Sequence, residues 1–133
     1  MSNPDINTLA SIVHQFFRGL DGRDNEAVAA LMAREGVWVR QGVELKGPQA
    51  VLQALQARDP QRQTAHLVSN LWVENATPTS ARVRFYMTAF ETRPGVEKPE
   101  MLGVRDSRDD LVLEDGHWRI ARKESRRIVP PEA

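Results

Sequence analysis

The sequence contains no cysteine, which excludes disulfide bonds, thiolate catalysis and cysteine-ligated zinc. No apolar stretch approaches the roughly 20 residues that a membrane-spanning helix needs. Neither sign of charge is in excess, because 18 basic residues balance 18 acidic ones. We therefore expect neither a nucleic acid nor a membrane as a partner. The first residues, Met-Ser-Asn-Pro-Asp, lack the charged and apolar regions of a signal peptide, which favours a cytoplasmic protein.

Motifs that bind ions or nucleotides are also missing. His14 and His117 have no partner at a metal-binding spacing such as H-x-x-x-H, and no glycine-rich motif for phosphate occurs. We expect no metal ion and no cofactor. Lys123 lies in a basic run near the carboxyl end. Acidic residues balance that run, and no aromatic residue interleaves it beyond Trp118, so a solvated face is expected there.

A length of 133 residues predicts a single domain over residues 1–133. Near its start, apolar residues recur at the helical period, and Asp21 lies one turn beyond Phe17, which directs its carboxylate towards the buried side. Asp24 is expected to cap a second helix that Gly36 ends, and Gly47-Pro48 to open a third. The apolar stripe of the first helix comprises Leu9, Ile12, Val13, Phe16, Phe17 and Leu20.

A short strand is predicted over residues 37–41, and four strand-like runs follow the third helix. They read TAHLVSNLWVE, SARVRFYMTAFET, LGVRDSRDDLVLED and HWRIARKESRRIV. Turn signals at Pro78, Pro94-Gly95 and Asp115-Gly116 separate them, and Asp-Gly is the strongest hairpin signal among these. Helices followed by consecutive strands predict an α+β domain with helices packed on one face of an antiparallel sheet.

The run at residues 64–74 does not alternate as a half-exposed strand should. Side chains alternate between the two faces of a strand, yet both faces here are mainly apolar, so both should be buried. The helices are too few for a second layer, and we expect a homodimer through the outer face of the sheet. An imidazole and an amide on one of these faces are either satisfied by the fold or line a cavity. One face holds His66, Val68, Asn70 and Trp72, and the other holds Leu67, Ser69, Leu71 and Val73.

Three segments together resemble SnoaL-like proteins of the nuclear-transport-factor-2 (NTF2) fold: GLDGRDNEAVAALMAREGVWVRQGVELKGPQAVLQAL, TAHLVSNLWVE and DGHWRI. The resemblance covers residues 9–124 and leaves 125–133 as a tail. It implies a cystatin-like α+β barrel, or cone, in which helices pack on a strongly curved antiparallel or mixed sheet and enclose a pocket. Relatives with this fold include dehydratases, isomerases, polyketide cyclases and structural subunits of dioxygenases.

Two positions match catalytic or pocket residues of scytalone dehydratase. Asp21, in Leu-Asp-Gly-Arg-Asp, matches a pocket aspartate, and His66, in Ala-His-Leu-Val, matches a catalytic histidine. A tyrosine of that enzyme is replaced here by Leu20, and its second histidine has no counterpart among residues 84–87. The resemblance therefore implies related geometry with different chemistry.

His66 is the expected catalytic residue. Imidazole titrates near neutrality and can move a proton, and a carboxylate on its second nitrogen would fix the tautomer. Asp21 would supply that carboxylate. The alternative is a buried histidine bonded to the backbone, with Asp21 only ending its helix.

Five further residues are candidates for substrate binding: Trp38, Arg40, Asn70, Tyr86 and Asp109. Arg40 shares a strand face with Trp38 and would hold a carboxylate or enolate, unless it is solvated or pairs across a dimer. Asn70 would bind a substrate oxygen, or else fasten a bulge. Tyr86 reaches the pocket only if its face of the strand looks inward. Asp109 lies on the same strand face as two leucines expected in the core, and it would line the pocket unless it belongs to a solvated strand end.

The first functional hypothesis is a cofactor-free lyase or isomerase. His66, oriented by Asp21, would move a proton next to a carbonyl of a small, largely apolar organic molecule, which gives dehydration, isomerisation or cyclisation. The second hypothesis is a non-catalytic ligand-binding or structural dimer module, like the small subunit of a ring-hydroxylating dioxygenase. The missing second histidine favours the second hypothesis.

Overall fold

The structure, a computed structural model, describes residues 1–133 and contains three helices and six strands. The helices are α1 (Ile6–Asp21), α2 (Asn25–Ala30) and α3 (Gly47–Gln56). The strands are β1 (Met32–Arg40), β2 (Val43–Lys46), β3 (Gln63–Ala76), β4 (Ser80–Thr92), β5 (Glu100–Glu114) and β6 (His117–Val129). No helix is both long and apolar enough to cross a membrane.

One six-stranded sheet, in the order β2-β1-β6-β5-β4-β3, curves around the helices. Leu9, Val13 and Phe16 on α1 are fully buried against the inner face of the sheet, where Phe85 and Ile120 lie. The α+β class and the helix-covered curved sheet are thus confirmed. The sheet is mixed, because β1 runs parallel to β6 while the other neighbouring strands are antiparallel.

The boundary between α2 and β1 differs from the prediction. Asp24 caps α2 as expected, accepting from the amide of Ala27, but the helix ends at Ala30 and β1 begins at Met32. Gly36 therefore lies inside β1 instead of ending a helix. Its backbone packs against the carbonyl of Ile120 with no room for a side chain, and the β1–β6 register shifts at this point.

A bulge at Asn70 explains the apparent doubling of apolar faces in β3. The register with β4 shifts between Ser69 and Trp72, and Asn70 adopts a left-handed conformation with φ of 53°. An extra residue in one strand reverses which side chains point inward beyond it. His66 and Val68 therefore face the core before the bulge, and Leu71 and Val73 face it afterwards.

The outer face of the sheet has two parts. Near β3 it exposes Leu67, Trp72 and Tyr86. Across β4, β5 and β6 it carries cross-strand ion pairs, such as Arg82–Asp110 at 2.8 Å. Only the part near β3 is apolar and exposed, because the bulge turns Leu71 and Val73 inward and the neighbouring strands pair their own charges.

Candidate active site

The inner face of the sheet and α1 enclose a cavity of about 760 Å³, within the range of small-molecule sites. Only seven of its 21 lining residues are hydrophobic. The lining therefore has more polar residues than expected for the largely apolar ligand that the sequence predicts. The charged lining residues are mainly basic: Arg40, Arg58, Arg62, Arg105, Lys123 and Arg127 stand against Glu124 and Glu132.

Asp21 and His66 meet at the wall of this cavity. Oδ1 of Asp21 lies 2.6 Å from Nδ1 of His66, and Oδ2 accepts from the backbone amide of His66 at 2.8 Å. A carboxylate is an acceptor, so Nδ1 carries the proton and Nε2 is left as the basic nitrogen. His66 lines the cavity, and Asp21 lies behind it.

The last turn of α1 is an unfavourable place for a carboxylate, since the helix dipole is negative there. Asp21 is the final residue of α1. Three donors compensate: the ring and the amide of His66, and the hydroxyl of Thr64, which donates to Oδ1 at 2.8 Å. The carboxylate is thus placed where it holds β3 and the imidazole at once.

Burial lowers the pKa of His66 below its ordinary value, and the positive charges of Arg58 and Arg62 lower it further. The hydrogen bond and charge of Asp21 act in the opposite direction but do not outweigh burial. Phe17 stacks on the imidazole with ring centroids 5.3 Å apart and contributes to this desolvation. His66 is therefore neutral at pH 7 and able to accept a proton.

Arg40 and Arg58, both at the cavity, form no ion pair with a carboxylate. Arg58 donates to the carbonyl of Leu20 at 2.9 Å and to the hydroxyl of Thr64 at 3.2 Å. Arg40 lies over the Trp38 ring, 5.5 Å from its centroid. Burial and neighbouring arginine charges lower the pKa of both guanidiniums, yet an arginine stays charged in proteins. These two partly buried cations, neither held in an ion pair, favour an anionic group in the cavity.

A second acid–base pair joins Asp109, an expected site residue, to Lys123, which was not expected at the site. Lys123 was predicted on a solvated face, but its side chain is only 7% exposed, and Nζ lies 3.1 Å from both carboxylate oxygens of Asp109. Burial lowers the pKa of Lys123 and raises that of Asp109, and the charge of each partner opposes the shift of the other.

A register shift between β5 and β6 places Lys123 on the inner face of the sheet. Counting back from the Asp115-Gly116 turn would place Asp109 opposite Arg122, but the β5–β6 register shifts by one residue between Asp110 and Leu111. The bulge turns Lys123 inward and leaves Arg122 on the outer face. The only signal for this pair in the sequence is that Lys123 lies one residue beyond Arg122, the expected partner of Asp109 on the neighbouring strand.

The structure brings together four of the seven predicted site residues. His66, Trp38 and Arg40 line the cavity, and Asp21 supports His66. Asp109 is fully buried beneath the lining, where it holds Lys123 and does not itself reach the cavity.

Asn70 and Tyr86 do not belong to this site. Asn70 is exposed at the bulge of β3, and its left-handed conformation forms that bulge. Tyr86 pairs with Ser69 on the outer face and is 39% exposed, because the inward face of β4 is that of Val83, Phe85 and Met87. The predictions that Asn70 and Tyr86 contact a ligand in the cavity are therefore wrong.

The helix-covered, curved sheet around a cavity has the cystatin-like fold that NTF2-like proteins share. Within that class, residues 3–124 match the SnoaL-like domain, and the chain belongs to this family. No curated protein matches the sequence.

Solved structures agree on the fold. An NTF2-like protein with a cystatin-like fold from Novosphingobium aromaticivorans is 19% identical with a TM-score of 0.78, over 91% of this chain and 80% of that one. A candidate scytalone dehydratase from the same organism is 22% identical with a TM-score of 0.80, over 92% and 83%. A protein from Catenulispora acidiphila, solved in complex with S-DNPA, is 22% identical with a TM-score of 0.79, over 92% of each chain.

Proposed function

We propose that this protein is an enzyme that uses His66 and Asp21 to move a proton on a small organic acid bound in the cavity. The observation that carries the proposal is the 2.6 Å contact between Asp21 and His66 at the wall of a 760 Å³ cavity. A neutral imidazole, oriented by a carboxylate and desolvated by Phe17, is a general base suited to neutral pH. Dehydration, isomerisation and cyclisation all begin with such a proton transfer.

The substrate class follows from the charge of the lining. Arg40 and Arg58 form no ion pair with a carboxylate and have partly buried guanidiniums, so a ligand carboxylate would relieve their mutual repulsion. Trp38 supplies an aromatic surface beside Arg40. We therefore expect an organic acid with an apolar or aromatic body.

The rival function is ligand binding without turnover. It is favoured by the presence of a single histidine at the cavity, since His14 and His117 are both exposed. A one-histidine site can take up a proton, but a reaction that needs a second acid must find it elsewhere.

Exchange of carbon-bound hydrogen in D2O separates the two functions. The probe is 3-benzoylpropionate, an enolisable keto acid, with acetophenone as its neutral counterpart, and exchange is followed by proton NMR. We expect exchange above the buffer rate with the wild type, loss of it in His66→Gln and retention in His14→Gln. Binding of the keto acid without accelerated exchange would support the rival function.

A further inference from the structure

Lys123 and Asp109 form a buried ion pair whose presence is not explained by a contribution to the stability of the fold. The side chain of Asp109 is completely buried, and that of Lys123 is nearly so. Buried ion pairs contribute little net stability, because the cost of desolvation offsets the attraction. The other two lysines, Lys46 and Lys98, are both exposed. The one buried lysine of the chain also lines the cavity.

The surroundings of Lys123 supply partners for an ammonium and leave one of its hydrogens unused. Nζ lies 4.3 Å from the ring centroid of Phe16 and 4.5 Å from that of Phe17, where an ammonium is stabilised by the aromatic faces. An ammonium carries three N–H groups. The two oxygens of Asp109 accept two of them, and no protein acceptor takes the third.

Lys123 and His66 lie against the same ring. The imidazole centroid is 5.3 Å from the centroid of Phe17, and Nζ of Lys123 is 4.5 Å from it. The two groups are therefore less than about 10 Å apart, and both line one cavity. That upper limit allows one small molecule to contact both groups.

We propose that Lys123 is a second catalytic residue, whose third N–H donates to the carbonyl oxygen of the substrate while His66 removes a proton from the adjacent carbon. This inference rests on the proposed function. The C–H electron pair becomes the new C=C bond, the C=O π pair moves to oxygen, and the resulting oxyanion is held by the ammonium. The oxyanion pair then re-forms C=O. In an isomerisation the enolate electrons take the proton from His66 at another carbon of the conjugated system; in a dehydration they form a new C=C bond as the neighbouring C–O bond breaks, and the departing hydroxide takes that proton and leaves as water. The substrate class is thus an enolisable carbonyl compound.

In this arrangement Lys123 acts as a hydrogen-bond donor and does not attack the substrate as a nucleophile. Both oxygens of Asp109 lie 3.1 Å from Nζ, and the negative charge of Asp109 favours the ammonium form of Lys123. Attack on a carbonyl would need a free amine lone pair, which an ammonium lacks.

Binding of 4-nitrophenolate tests the donor without requiring turnover. Its phenolate oxygen imitates the oxyanion, and 4-nitroanisole is a neutral probe of similar shape. The decisive variant combines Lys123→Met with Asp109→Leu, because it removes one positive and one negative charge together. The net charge of the site is unchanged, and no buried charge is left alone. Lys98→Met, at an exposed position, is the matched control.

We expect the affinity of the double variant for 4-nitrophenolate to be at least about tenfold lower than that of the wild type. This loss corresponds to one charge-assisted hydrogen bond. The affinity of the double variant for 4-nitroanisole should match that of the wild type, as should both affinities of Lys98→Met. Equal phenolate binding by the double variant and the wild type would overturn the proposal, whether or not Arg40→Gln then weakened binding. His66→Gln should still prefer phenolate, so failure of His66 as a base would be distinguishable from failure of Lys123 as a donor.

Discussion

Asp21 accepts from His66 twice, through the imidazole at 2.6 Å and through the backbone amide at 2.8 Å. The two contacts join the end of α1 to the middle of β3 and fix the ring relative to its own backbone. A single carboxylate therefore determines both the tautomer and the position of the imidazole at the cavity.

Asp21→Asn should reduce exchange of 3-benzoylpropionate about 10²- to 10⁴-fold, the range of a lost general-base function. An amide in place of the carboxylate can present N–H to the ring and reverse the tautomer. Thr64→Val removes one donor to Asp21 but leaves the imidazole contact intact, so it serves as the control and should lose less activity. Equal losses in the two variants would show that Asp21 acts only on the stability of the fold.

The rate of exchange should rise with pH as His66 loses its proton, with a midpoint below the ordinary histidine value of about 6.5. The direction follows from burial and from Arg58 and Arg62, which lower the pKa of His66. Arg62→Gln should move the midpoint upward, because it removes one of the charges that disfavour imidazolium. The measurement is a pH–rate profile of the wild type and this variant; a midpoint above 6.5 would contradict it.

The stability of the fold should also depend on the charge of His66. Its pKa in the folded state is lowered, so between that value and about 6.5 the unfolded chain binds more protons. The contribution of neutral His66 is complete above the unfolded value and is lost as pH falls through this window. Denaturant unfolding at pH 8 and pH 5.5 should show a larger loss on acidification in the wild type than in His66→Gln. An equal loss would exclude His66 as the cause.

Lys123→Met alone should destabilise the fold by about 3–5 kcal/mol, because it leaves the carboxylate of Asp109 buried without a partner. The double variant with Asp109→Leu should be close to the wild type in stability, since neither charge remains. Urea unfolding of the three proteins checks this. Equal destabilisation in the single and double variants would mean that packing, and not the unpaired charge, determines the cost.

A homodimer through the outer face of the sheet remains a proposal, supported by Leu67 and Trp72, which are 56% and 53% exposed. Trp72→Glu should convert a dimer into a monomer in light scattering coupled to gel filtration. Ile6→Glu, a comparable change at an exposed position on α1, should leave the mass unchanged. A monomeric wild type would exclude this interface.

The sequence predicted the parts of the structure that depend on local pattern. The buried stripe of α1, the cap at Asp24 and the Asp115-Gly116 hairpin all follow from periodicity or turn chemistry, and each is present. The placement of Asp21 one turn beyond Phe17 was sufficient to direct its carboxylate inward, towards His66.

Bulges account for most of what the sequence did not predict. One extra residue at Asn70 and one in β6 before Lys123 each reverse the parity of a strand. Alternation in the sequence therefore holds for His66, before the bulge, and fails for Asn70, while the inward position of Lys123 depends on the second bulge. A left-handed asparagine is compatible with a bulge, but the residue type alone does not fix where the register shifts.

The most direct measurement is a ¹⁵N NMR titration of the His66 imidazole in the wild type and in Asp21→Asn. The structure predicts a neutral ring at pH 7, with the proton on Nδ1 and a pKa below about 6.5. Asp21→Asn should lose the Nδ1–H preference. A wild-type ring that is protonated at pH 7, or that carries its proton on Nε2, would contradict the role of His66 as the base.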